Sequence, residues 1–209
     1  MEQLHTKYRP KEFSEVVGQD EIVESLEELV KSGKAPKVLL FSGPSGVGKT
    51  TLARIFANKI GCDSSNIIEV DSAVNTGVDD MRNLCENLKF PAFGNSPIKV
   101  AILDESHMLS RNSLNAILKI LEEPPSHLYF ILCTTEPTKI IETIKTRCHS
   151  YMLREVGTDD LMDLLEYVSG EEKIELPKNT LFLIAQSAQG SPRKALVRLS
   201  QVRNCKEIE

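Results

Sequence analysis

No stretch of this sequence carries enough consecutive apolar residues to cross a bilayer, and Met1-Glu2-Gln3-Leu4-His5 lacks the pattern of a secretory leader. A cytoplasmic protein is expected, with no membrane partner. The five cysteines, Cys62, Cys85, Cys133, Cys148 and Cys205, are odd in number, scattered, and never in C-x-x-C spacing. They read as reduced thiols. Cys148 and His149 are adjacent, a poor spacing for two ligands of one metal, so no zinc site is expected. Runs of Lys and Arg are absent and the net charge is −5, which argues against a chain that coats nucleic acid unaided but leaves room for a local basic face within an assembly. Low-complexity tracts and internal repeats are lacking as well. The 209 residues suffice for one domain of ordinary size and a smaller one.

What the chain does have is Gly43-Pro44-Ser45-Gly46-Val47-Gly48-Lys49-Thr50, between the apolar run Val38-Leu39-Leu40-Phe41 and the helical Thr51-Leu52-Ala53-Arg54-Ile55-Phe56-Ala57. Strand, G-x-x-x-x-G-K-[ST] and helix start together make a phosphate-binding loop. The glycines let the backbone curl so that its N–H groups point at one anion beside a helix N-terminus. Lys49 adds a charge for the β- and γ-phosphates of ATP, and Thr50 a hydroxyl for Mg²⁺.

In chain order, Lys7-Tyr8-Arg9-Pro10 opens an extended segment, and Asp20 is expected to cap a helix with a stripe at Ile22, Val23, Leu26, Leu29 and Val30. After the loop helix, strands are expected at 66–71, covered on both sides, at 99–103, at 128–133 and at 150–153. Helices at 78–88, 112–121 and 138–145 separate them, with Lys89-Phe90-Pro91-Ala92-Phe93-Gly94 as a loop carrying two aromatics. Such alternation implies an α/β fold with right-handed crossovers and a central parallel sheet, ligands binding at the carboxyl ends of the strands. From Thr158 the pattern is helical only. Ser191 as N-cap and Pro192 at the first helical position start the last of three helices. The domains are therefore expected to be 1–153, the α/β unit with the phosphate loop, and 154–209, a small unit of three helices.

Asp104, at the end of an apolar strand, is placed to hold Mg²⁺, and Glu105 is a candidate general base for the attacking water.

Asp104-Glu105-Ser106-His107-Met108-Leu109-Ser110, then Asn115 to Lys119 and Leu121-Glu122-Glu123-Pro124-Pro125, resemble the AAA+ ATPase subunits of sliding-clamp loaders, the gamma/tau type of bacterial DNA polymerase III above all. Lys7-Tyr8-Arg9-Pro10, Thr134 to Lys139, Thr146-Arg147-Cys148 and Gly190 to Leu196 extend the likeness over nearly the whole chain. The resemblance implies that Tyr8, Arg9, Pro10, Val17 and Gly18 border the adenine. Gly43, Pro44, Ser45, Gly46, Val47, Gly48, Lys49, Thr50 and Thr51 hold the phosphates, with Thr50 and Asp104 on Mg²⁺. Thr135 is then the polar residue that orients the water, with Thr134 as the alternative register. Arg193 closes over the γ-phosphate of its own subunit, and Arg147 is an arginine finger for the neighbouring one.

The same resemblance implies a sliding clamp, other clamp-loader subunits and primer-template DNA as partners. Phe90 and Phe93 are candidates for the clamp contact, though they could fold back on the domain's own core, Phe90 more readily than Phe93. Arg82, Arg111 and Lys119 are candidates for DNA. The sequence departs from the family in three places. Only Gly61-Cys62-Asp63-Ser64-Ser65 stands where a zinc module is usual, Thr146 replaces serine, and the chain stops at Glu209, where a collar domain should follow. Three other functions compete with clamp loading: the same engine remodelling another DNA-processing client, a phosphoryl-transferring kinase, and a non-hydrolysing scaffold. A kinase needs an acceptor site, whereas Arg147 and Arg193 fit hydrolysis regulated between subunits. Intact Lys49, Thr50, Asp104 and Glu105 argue against the scaffold.

Overall fold

The computed structural model describes residues 3–74, 77–94 and 96–203, so Cys205 lies outside the described residues. A short helix, α1 (Leu4–Lys7), takes in Lys7, the first residue of the expected extended segment, and a 3-10 turn at Phe13–Glu15 interrupts that segment before α2 (Asp20–Ser32). Gln19 precedes α2 and Asp20 is its first residue, without a side-chain cap bond, so Asp20 acts on the first turn by its charge and not as the expected cap. Next come β1 (Val38–Ser42), α3 (Lys49–Lys59), β2 (Ile67–Asp71), α4 (Val78–Leu88), β3 (Lys99–Asp104), α5 (Arg111–Glu122) and β4 (Leu128–Thr134). The segment expected as one helix over 138–145 is a 3-10 turn at Pro137–Lys139 and a separate α6 (Glu142–Lys145). Then follow β5 (His149–Met152), α7 (Thr158–Glu172), α8 (Lys178–Ser187) and α9 (Pro192–Val202). Among the described residues no helix is long and apolar enough to cross a membrane.

Five parallel strands form one sheet in the order β2-β3-β4-β1-β5. Successive side chains alternate between faces, and because both faces are covered, both sets are apolar. Leu39, Phe41, Ile102, Ile131 and Cys133 meet Leu26 of α2 and Leu52 and Phe56 of α3 on one face. Val38, Leu40, Leu103, Phe130 and Leu132 meet Met81, Ile117, Leu121 and Ile144 on the other. Each fully buried Phe or Leu contributes about 1.5–3 kcal/mol. The expectation of a covered second strand is corrected by its place: β2 is the edge, and its residues are half-buried or exposed.

The last three helices have a core of their own, including Leu161, Leu165, Val168, Leu181, Ala185, Leu196 and Leu199. Leu4 of α1 is buried in this cluster, and Tyr8 and Val17 pack against it. The tie is also polar: Lys7 Nζ and Tyr8 Oη both donate to Glu172 Oε1, at 2.5 and 2.7 Å. The first residues of the chain thus belong physically with its last helices. Ser191 is the N-cap of α9, its side chain accepting from Lys194 N.

Candidate functional site

The loop that leaves β1 and the carboxyl end of β3 line a cavity of about 730 Å³ between the sheet, the start of the chain and the helical unit. β1 lies between β4 and β5, and the turn that leaves it runs from Gly43 to Gly48 into α3. Two glycines there are required by space. A Cβ on Gly43, at φ +141°, would stand 2.4 Å from the Leu153 carbonyl oxygen, and one on Gly46, at φ +77°, 2.3 Å from Ser191 Oγ. The loop is closed from outside by α9, since Ser191 Oγ donates to the Gly46 carbonyl at 3.3 Å.

Lys49 is buried at the first position of α3, its Nζ donating to the carbonyls of Gly43 at 2.9 Å and Pro44 at 2.7 Å. Burial pushes its pKa below the usual lysine value, while nearby Glu105 and Asp104 oppose that shift. Thr50 Oγ1 donates to Asp104 Oδ2 at 2.9 Å, linking the start of α3 to the end of β3. Asp104 Oδ1 accepts the backbone N–H of Glu105 at 3.0 Å. Glu105 adopts φ 47°, the left-handed region. That conformation costs about 1–2 kcal/mol in a residue with a Cβ, and bonds to both its backbone and its side chain hold it there. Thr135 Oγ1 donates to Glu105 Oε2 at 3.1 Å, whereas Thr134 is fully buried and its hydroxyl accepts from Glu136 N.

Most residues singled out in the sequence therefore meet. Tyr8, Arg9, Pro10, Val17 and Gly18 line one wall, Ser45 through Thr51 the floor, Asp104 and Glu105 the sheet end, and Arg193 the α9 side. Gly43 and Pro44 lie beneath and supply the lysine's acceptors. Thr135 reaches the site only through Glu105. Arg147 is elsewhere: it follows α6, does not line the cavity, and its guanidinium donates to Glu122 Oε1 at 2.7 Å and to the Thr143 carbonyl at 2.5 Å.

Sequence reading missed two contributions. Asp160, Asp163, Leu164 and Tyr167 of α7 complete the wall opposite the loop, and their spacing, one face of a single helix, was the available signal. His107, with a side chain only 7 % exposed, sits 3.1 Å by Nδ1 from Thr134 Oγ1 and 3.4 Å from Glu105 Oε2. Nothing in its lone spacing pointed to that contact.

The donor set suits a triphosphate with magnesium. A hydroxyl and one carboxylate 2.9 Å apart are hard oxygen ligands for an ion that takes its remaining ligands from water and phosphate. Among the described residues no group of three or more His, Cys, Asp or Glu side chains gathers to hold a metal unaided.

The family described as "DNA polymerase III, delta subunit" matches residues 65–157. The DNA polymerase III subunit tau of Escherichia coli is 38% identical over 215 residues, covering 92% of this chain and 33% of that protein. For the Bacillus subtilis subunit tau the figures are 37% over 219 residues, 95% and 39%. The chain thus spans about a third of the length of the curated relatives it matches. Among solved structures, the RuvB Holliday junction branch migration motor of Thermotoga maritima superposes with a TM-score of 0.74 at 24% identity, over 93% of this chain and 64% of that one. The shared architecture is an α/β fold with a central parallel sheet.

Proposed function

We propose that this chain, similar over most of its length to the DNA polymerase III tau and gamma/tau subunits, is the AAA+ ATP-hydrolysing part of a sliding-clamp loader. It uses ATP binding and hydrolysis to open a ring clamp and place it on primer-template DNA, in the cytoplasm and together with other loader subunits. The observation that carries this reading is the hydrogen-bonded chain from Thr50 to Asp104 to Glu105 to Thr135, assembled beside the buried Lys49. A kinase would need an acceptor site in addition, and a scaffold would need none of these groups.

The nucleotide lies with its base between the Tyr8–Gly18 segment and α7, and its phosphates in the loop. Lys49 turns from its two carbonyl acceptors to the β- and γ-phosphates, while Thr50 and Asp104 hold the ion. Magnesium, when bound, neutralises phosphate charge and orients the triphosphate. Glu105 accepts a proton from the attacking water at its carboxylate. Thr135 and His107 keep that carboxylate aimed, and Arg193 meets the γ-phosphate from α9. Residues 1–153 and 154–209 are the two working units, with the α1 strap crossing between them.

The deciding experiment measures ATPase rate with and without clamp plus primed DNA. Joint stimulation by that pair supports loading. A turnover indifferent to both would leave an ATPase with another client, such as a DNA-junction remodeller.

A further inference from the structure

Lys49, Arg193 and Arg9 are among the cationic side chains that line the cavity. The ammonium of Lys49 is satisfied by two loop carbonyls, and the nearby Arg54 is paired in a fork with Glu69, at 2.7 and 2.8 Å. Among the described residues the guanidinium of Arg9 has neither a hydrogen-bond nor an ion-pair partner, although the residue is half-buried. Burial depresses its proton affinity, and repulsion from Arg54 and then Arg193 adds to that, while Glu69 and Asp104 act the other way. Its four charged neighbours are spread over several elements. They stand on α3, on the edge strand β2, at the end of β3 and at the start of α9, around the phosphate loop and its metal carboxylate. Tyr8, one residue earlier, faces the other way, its ring 6.2 Å from that of Tyr167 and its hydroxyl on Glu172.

Guanidinium groups held near one another in a half-buried site, with no carboxylate on either Arg9 or Arg193, are unfavourable until an anion joins them. Arginine does not lose its proton, and its planar fork matches two phosphate oxygens. The backbone that carries Arg9 is constrained: Pro10 restricts it, and its N–H donates to the Thr6 carbonyl at 3.3 Å.

We infer that Arg9 binds the terminal phosphates of a nucleoside triphosphate in its own subunit, beside Arg193, instead of bordering the adenine with Tyr8 and Pro10. The inference rests on the ATP-binding reading above and adds a consequence to it. Arg9 sits on a strap embedded in the α7–α9 unit, so a triphosphate gripped by Arg9 and Lys49 ties that unit to the sheet, and a diphosphate ties it less.

The test is calorimetric titration of ATP, ADP and adenosine into the 209-residue chain and its Arg9→Gln and Arg9→Lys variants, all in a Glu105→Gln background that preserves ATP. Arg9→Gln is expected to weaken ATP about tenfold to a hundredfold, the range for a lost charge-assisted bond, to weaken ADP clearly less, and to leave adenosine unchanged. Arg9→Lys is expected to recover part of the ATP affinity. Equal losses for all three ligands, or a loss that lysine does not relieve while the melting temperature holds, would overturn the inference and return Arg9 to the base. If Arg9→Gln does not fold, the Lys variant decides alone by its ATP-to-ADP ratio, which must fall below the parent's. Failure of the parent chain to bind ATP would overturn the ATP-binding reading itself, and this inference with it.

Discussion

Lys49 and Glu105 share one cavity, and replacing each should separate binding from chemistry. Lys49→Ala removes the buried ammonium and is expected to weaken ATP binding about tenfold to a hundredfold; calorimetry showing parental affinity would take the phosphates out of the loop. Glu105→Gln keeps size and polarity but cannot take a proton, so binding should persist while turnover falls roughly 10²- to 10⁴-fold. Steady-state phosphate release checks it, and a parental rate would exclude Glu105 as base. Both residues were legible in the sequence, because a glycine loop and an acidic pair at the end of an apolar strand have few other uses. Thr134 and Thr135 were not separable there. Adjacent strand-end residues point to opposite sides, and which side faces Glu105 depends on the pairing of β4 with its neighbours. In the folded chain the hydroxyl of Thr135 reaches Glu105, and that of Thr134 is spent on Glu136. Arg9 shows a related limit, since a resemblance assigns a whole segment while side-chain direction changes from one residue to the next.

The loop after α4 shows how elements present a surface. Phe90 and Phe93 are 66 % and 76 % exposed, so neither folds back into the core. The backbone beneath them is pinned. Buried Asn66 bonds both the N–H and the carbonyl of Phe93, at 2.7 and 3.0 Å, and buried Lys99 donates to the carbonyl of Phe90 at 2.8 Å. A rigid loop carrying exposed aromatics binds without a large ordering cost. Phe93→Ala should therefore weaken clamp binding in a pull-down or calorimetric assay while the melting temperature stays near the parent's. Asn66→Ala should weaken it too, but with a stability loss of about 1–3 kcal/mol from unmade buried hydrogen bonds. A large melting shift in Phe93→Ala would contradict a surface role. Elements themselves were readable from periodicity, because α2, α5 and the inner strands keep strict apolar spacing. Their arrangement was less so: β2 reads as apolar and short, and only the sheet order makes it an edge. The pinning amide of Asn66 left no trace in sequence, being 27 residues from its partner.

At the scale of the whole molecule, the chain's beginning is stapled to its end and its outer arginine is left free of its own site. Leu4 is 1 % exposed within the helical cluster, so Leu4→Ala should lower stability by about 2–5 kcal/mol in denaturant unfolding. A variant as stable as the parent would mean that the strap is not part of that core. No local pattern announced this contact, since four residues are too few to show periodicity. Whether the chain works alone is tested at Arg147. It lies after α6, outside the cavity, with its side chain 36 % exposed and resting on Glu122. From there it does not reach the cavity that Lys49 lines, and to serve a site brought against that face its fork must leave Glu122 and the Thr143 carbonyl. An arginine supplied in trans is worth roughly 10³- to 10⁵-fold in phosphoryl transfer. Arg147→Ala should therefore bind ATP normally and hydrolyse it poorly even in a full assembly. The discriminating measurement mixes Arg147→Ala subunits with Glu105→Gln subunits, each inactive by itself. Where an intact Arg147 from the second faces an intact Glu105 from the first, hydrolysis should return. If mixed assemblies form, by light scattering or native mass spectrometry, and remain inactive, then Arg147 does not act across the interface, and its bond to Glu122 is its whole role.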